Sequence, residues 1–116
     1  MPGTEWTSEW ISLPWTEDPK KSEPSPYLRK EFALEKEIAQ ARLYISSQGL
    51  YQVEINGKRV GDQEFTPGWT SYDTRLQYQT YDITSLLARD QNAIGIVMGD
   101  GWFRGNLGWI DGRNNW

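Results

Sequence analysis

The sequence contains no cysteine and no histidine. The first absence excludes disulfides, thiolate nucleophiles and cysteine-held zinc or iron–sulfur centres. The second excludes the Ser-His-Asp triad and every imidazole-ligated metal. Chemistry is left to carboxylates, hydroxyls, amines, phenols and oxygen ligands. Positive charge is also scarce: 12 Lys+Arg stand against 16 Asp+Glu, giving a net charge of −4 and a pI near 4.8. An acidic chain lacks the basic footprint that nucleic-acid backbones demand, so no such partner is expected. No run approaches the roughly 20 apolar residues of a membrane span. Met1–Glu5 carry neither a basic leader nor an apolar signal segment, which favours a cytoplasmic location.

What remains is 116 residues, a single-domain length, with 37% hydrophobic and 24% charged residues and a mean hydropathy of −0.73. That is the composition of a globular domain. Aromatic content stands out, with seven Trp, six Tyr and three Phe making 14% of the chain. Each such side chain can bury roughly 150–250 Å². So many in one small domain point to aromatic packing, aromatic recognition surfaces, or both.

Trp10-Ile11-Ser12-Leu13 reads as a short strand stopped by Pro14, and the polar, proline-rich stretch Thr16–Pro26 reads as a loop. Tyr27–Leu34 is the next strand, with Leu28, Phe32 and Leu34 available to a core. Glu35–Arg42 has helix-friendly composition, but Ala41, Leu43 and Ile45 then recur at alternate positions, so a turn into a strand is expected. In Leu50–Ile55, Tyr51, Val53 and Ile55 share one face. Asn56-Gly57 supplies the two positive-φ positions of a type I′ hairpin turn, and Lys58-Arg59-Val60 returns. Phe65–Asp73 is an aromatic loop around Pro67-Gly68. Leu76–Ile83 alternates as a strand, Asp82–Leu87 passes into a helical turn, and Asn92–Met98 is a strand. Gly99–Trp109 reads as a glycine-punctuated aromatic loop. Several short strands with little helix imply an all-β antiparallel sandwich or jelly roll. Residues 1–26 are expected as an N-terminal strand and Pro-rich loop, and 27–116 as the sandwich itself.

Five ordered segments resemble a known family. They are Ala41–Tyr51, Ile55–Asp62, Thr66–Tyr72, Tyr78–Thr84 and Gly99–Gly105 (GDGWFRG). Together they are similar to the N-terminal β-sandwich, galactose-binding-domain-like, of bacterial α-L-rhamnosidases, glycoside hydrolase family 78. The similarity runs from about Tyr27 to Trp109. It implies an accessory domain of a large exo-glycosidase that removes terminal α-L-rhamnose. In that family a separate (α/α)₆ barrel carries the catalytic carboxylates and works by inversion. The family's sandwich also continues with further strands, so this chain is expected to be incomplete at its C-terminus, with an exposed edge able to self-associate.

No acid among Glu31, Glu35, Glu37, Glu54, Asp62, Glu64, Asp73, Asp82 and Asp100 sits in a distinctive motif, and surface or turn roles are expected for them, with no catalytic residue. Asp100-Gly101 and Asp111-Gly112, with Asn106, Asn114 and Asn115, do not match a calcium-loop spacing, so no metal and no cofactor are expected. Trp69, Tyr72, Trp102, Phe103, Arg104 and Trp109 are the candidate carbohydrate-binding residues: a flat ring covers the apolar face of a sugar while Arg bonds its hydroxyl edge. The competing reading has Trp69 and Trp102 plugging the ends of the sandwich and Arg104 tying down a loop. Three functions therefore stand: a non-catalytic rhamnosidase module that contacts other enzyme domains and a rhamnose-containing glycan, an independent carbohydrate-binding module, and a purely structural docking domain.

Overall fold

The computed structural model describes residues 6–18 and 20–105. Among the described residues, six strands form two antiparallel sheets: β1 (Tyr27–Leu34), β2 (Arg42–Ile45), β3 (Leu50–Ile55), β4 (Lys58–Arg59), β5 (Gln79–Asp82) and β6 (Asp90–Gly99). The larger sheet has the order β1-β6-β3-β4, and β2 pairs with β5 in the smaller one. A single 3-10 turn at Thr84–Leu86 and a one-turn helix, α1 (Gly101–Arg104), complete the elements. The fold is all-β, as the patterning implies.

Alternation explains how the sheets meet. Side chains along a strand point to opposite faces, and the register places Val53 opposite Ile96 and Ile55 opposite Ile94. This apolar row faces Ala41, Leu43, Ile45 and Tyr81 of the smaller sheet and its approach. Val53 and Ile55 are each only 1% exposed, and Tyr51, Val60 and Ile83 close the cluster around them. The core is centred on β3. On the β1–β6 side, Leu28, Phe32, Ile94, Ile96 and Met98 are only half-buried.

The β3–β4 hairpin turns at Asn56 (φ 52°) and Gly57 (φ 78°), the backbone that a two-residue type I′ turn requires. Asn56 does more than turn the chain. Its Nδ2 donates to Leu86 O at 2.9 Å and Asn92 Oδ1 at 2.8 Å, while its Oδ1 accepts from Ala93 N at 2.9 Å. Asn92, 3% exposed, in turn accepts from Ala88 N and donates to Ala88 O. Two asparagines thus join the hairpin, the 3-10 turn and the start of β6. Gly95, mid-strand, has its own reason: a Cβ there would collide with the Tyr27 ring, which crosses it from β1.

Three local expectations are corrected. Trp10–Leu13 is not a strand. It has no ladder partner among the described residues, and a strand is defined by pairing, which local composition cannot supply. Leu76–Tyr78 stays outside the ladder, since β2 reaches only Gln79–Asp82 with its four residues. The Gly99–Gly105 stretch is not loop throughout but winds into α1.

Replacing Asn92 by Ala leaves the Asn56 amide and two Ala88 backbone groups without their partner. Stability should fall by about 1–3 kcal/mol, read from chemical denaturation. A change within error would show the asparagine pair to be dispensable.

Candidate functional site

The aromatic residues gather where the Phe65–Asp73 loop meets α1. The centre of this loop is anchored. Thr66 O accepts from Tyr51 N at 2.9 Å, Thr66 Oγ1 donates to Tyr51 O at 3.1 Å, and Pro67 O accepts from Gln79 Nε2 at 3.2 Å. The Tyr51 hydroxyl donates to Gln79 Oε1 at 2.7 Å and lies 3.2 Å from the Tyr81 hydroxyl. Burial, reinforced by the Tyr81 hydroxyl, raises the Tyr51 pKa, so this phenol stays neutral and serves as a hydrogen-bonding strut.

On either side of the anchor the loop displays rings. Phe65 and Trp69 are each 66% exposed, and Phe65 holds φ at +58°, a backbone state that bulky residues rarely adopt. Helix α1 is joined to the loop twice. Trp102 meets Phe65 edge-on with centroids 6.1 Å apart, and Phe103 meets Tyr72 at 5.4 Å. Tyr72 is buried, which raises its pKa, and so it works inside the packing rather than on the surface. Gly101 opens the helix at φ +54°, where a Cβ would press on Leu50.

Arg104 ends α1 and is committed on two sides. Its Nε donates to Asp100 Oδ1 at 2.9 Å, and its NH2 donates to Glu17 Oε2. Burial works against the guanidinium charge, but the two carboxylates outweigh it and raise its pKa. The same contact holds down the N-terminal segment. At that segment's other end, Trp6 packs edge-on against Tyr78 (5.3 Å) and Tyr44 (6.4 Å). Between these attachments lies a cleft of about 630 Å³, walled by Leu28, Leu43, Ile45, Ile94, Ile96 and Met98. Trp10 borders it yet is 67% exposed.

Of the six candidates, the structure therefore brings Tyr72, Trp102, Phe103 and Arg104 together and leaves Trp69 projecting. Trp109 lies outside the described residues. Phe65, absent from the sequence-derived set, joins them through its ring contact. Its place beside Thr66-Pro67-Gly68 was visible, but its backbone state was not. Among the described residues, no group of three metal-binding side chains occurs, and no helix is long and apolar enough to cross a membrane.

The described residues thus form a two-sheet, all-β domain with aromatic side chains gathered at one end. Residues 36–116 match the family described as "Alpha-L-rhamnosidase N-terminal domain", and the chain belongs to that family. It is 40% identical over 113 residues to an α-L-rhamnosidase of Formosa agariphila, covering 92% of this chain and 12% of that protein. One from Streptomyces avermitilis is also 40% identical, over 108 residues, covering 92% of this chain and 10% of the relative. The crystal structure of the Aspergillus terreus α-L-rhamnosidase superposes with a TM-score of 0.75 at 43% identity, covering 84% of this chain and 12% of that one. The Streptomyces avermitilis α-L-rhamnosidase complexed with L-rhamnose gives 0.71 at 45% identity, covering 74% and 8%. The chain thus spans about a tenth of the length of these relatives.

Replacing Arg104 by Met should detach the N-terminal segment from α1, leaving Glu17 without its cation. Trypsin cleavage at Lys20 and Lys21 should accelerate, and stability should drop by about 1–3 kcal/mol. An unchanged digestion rate would show that the contact does not hold the segment.

Proposed function

We propose that this chain serves a rhamnosidase as a non-catalytic module that supports the enzyme's architecture and presents an aromatic surface to rhamnose-containing glycan. The observation that carries the reading is the Phe65–Asp73 loop: a firmly anchored backbone that leaves Trp69 largely in solvent. An aromatic ring carried on an anchored backbone suits stacking on the apolar face of a sugar, because little backbone freedom is lost on contact. Two carboxylates beside α1, Asp100 and Glu17, both bond Arg104. Glycoside hydrolysis requires a pair of carboxyl groups divided between acid and base or nucleophile, and a shared guanidinium gives these two a structural use instead.

Titration with L-rhamnose and rhamnosylated oligosaccharides, followed by tryptophan fluorescence, tests the contact. Saturable quenching is expected, and Trp69→Ala should abolish it with under about 0.5 kcal/mol lost from stability, as for an exposed site. A flat titration would remove the glycan from this reading. Release of aryl alcohol from an aryl rhamnoside by this chain alone would overturn the non-catalytic part.

The half-buried β1–β6 face supports a second, compatible role. A two-stranded sheet lies over a four-stranded one, and β2, which borders the cleft, has an edge that no other described residue pairs. We assign that edge and cleft to further strands of the same polypeptide, in keeping with the much greater length of the relatives. The prediction is concentration-dependent association of the 116-residue chain by light scattering, lost when those strands are supplied in a longer chain. A monomer at all concentrations would argue against an open edge.

A further inference from the structure

Asn56-Gly57 is the one Asn-Gly pair in the sequence, and its chemistry is not exhausted by the turn it makes. Glycine offers no side chain to shield its own nitrogen, and apart from Gly57 and its two chain neighbours no described heavy atom stands within 4 Å of where a Gly57 Cβ would be. Both residues are exposed. An asparagine followed by so open a residue is prone to intramolecular deamidation. The Gly57 backbone nitrogen, once deprotonated, attacks the Asn56 Cγ. The C–N bond to the side-chain nitrogen breaks and ammonia leaves. Water then opens the resulting succinimide at either carbonyl, giving aspartate or isoaspartate, and no oxidant or reductant is involved.

The fold opposes the first step. Attack requires the carboxamide to swing toward the Gly57 nitrogen, whereas all three of its polar links point elsewhere, to Leu86 O, Asn92 Oδ1 and Ala93 N. We propose that Asn56 is a deamidation site gated by folding: intact while the asparagine pair holds it, reactive once this corner opens. The product cannot restore the junction. A carboxylate at position 56 has no N–H for Leu86 O or Asn92 Oδ1, and it sets negative charge against both oxygens. Isoaspartate also lengthens the backbone inside a two-residue turn. Each conversion therefore leaves a chain that refolds only to a less stable state, so thermal unfolding is not fully reversible.

The test is peptide mass spectrometry of the 116-residue chain after incubation in mildly alkaline buffer, below and within its unfolding transition. Conversion at Asn56 should be at least roughly ten-fold faster within the transition, tracking the open population. Asn92→Ala, which removes one restraint from the amide, should speed conversion beyond that of Ile83→Ala, which weakens the core elsewhere, with the two compared at equal unfolded fraction. Asn56→Asp should refold to a measurably less stable state than the parent chain. Equal conversion rates in folded and unfolded chain would overturn the gate. So would no conversion in either state, or an Asn92→Ala rate equal to that of Ile83→Ala. An Asn56→Asp chain as stable as the parent would overturn the claimed consequence.

Discussion

The rest of the molecule depends on the burial of one face of β3. Val53 and Ile55 are the most deeply enclosed side chains, and both sheets close upon them. Burying a branched aliphatic side chain is worth roughly 1.5–3 kcal/mol, a large share of the stability of a small domain. β3 also pairs with β6 on one side and β4 on the other, and its Tyr51 fixes the Phe65–Asp73 loop from below. Displacing this strand would therefore disturb the core, the hairpin and the aromatic surface together.

This arrangement explains why the two ends of the domain differ in character. Near Tyr51 and Gln79, polar side chains and backbone groups interlock, and the loop above is held firmly enough to display Phe65 and Trp69. Toward β1 the described residues give the larger sheet no full second layer, and the N-terminal segment crosses the gap with its own indole groups largely outside. One region is built to present side chains. The other is an apolar face still short of cover.

The regular elements were legible because each has a local cause. Alternation marked β3 and β6, and Asn56-Gly57 marked the hairpin. What the sequence hid is set by pairing between distant residues. Trp10–Leu13 has strand composition but no ladder partner among the described residues. Asn56 reads as a turn residue, while its partner Asn92 stands 36 positions away. The candidate surface shows the same division. Its aromatic residue types could be picked out along the chain. That Tyr72 is buried, that Arg104 is engaged by two acids, and that Phe65 sits beside Trp102 all follow from tertiary packing.

The bond between Glu17 and Arg104 joins residues 87 positions apart. During synthesis this bond cannot form until all six described strands have been made. Its formation is then a late step, added to a sandwich whose central strands have already paired. Nascent chains interrupted before Arg104 would keep the Trp6 contacts but lack the Glu17 bond, leaving the exposed Trp10 and Trp15 open to capture by chaperones or proteases.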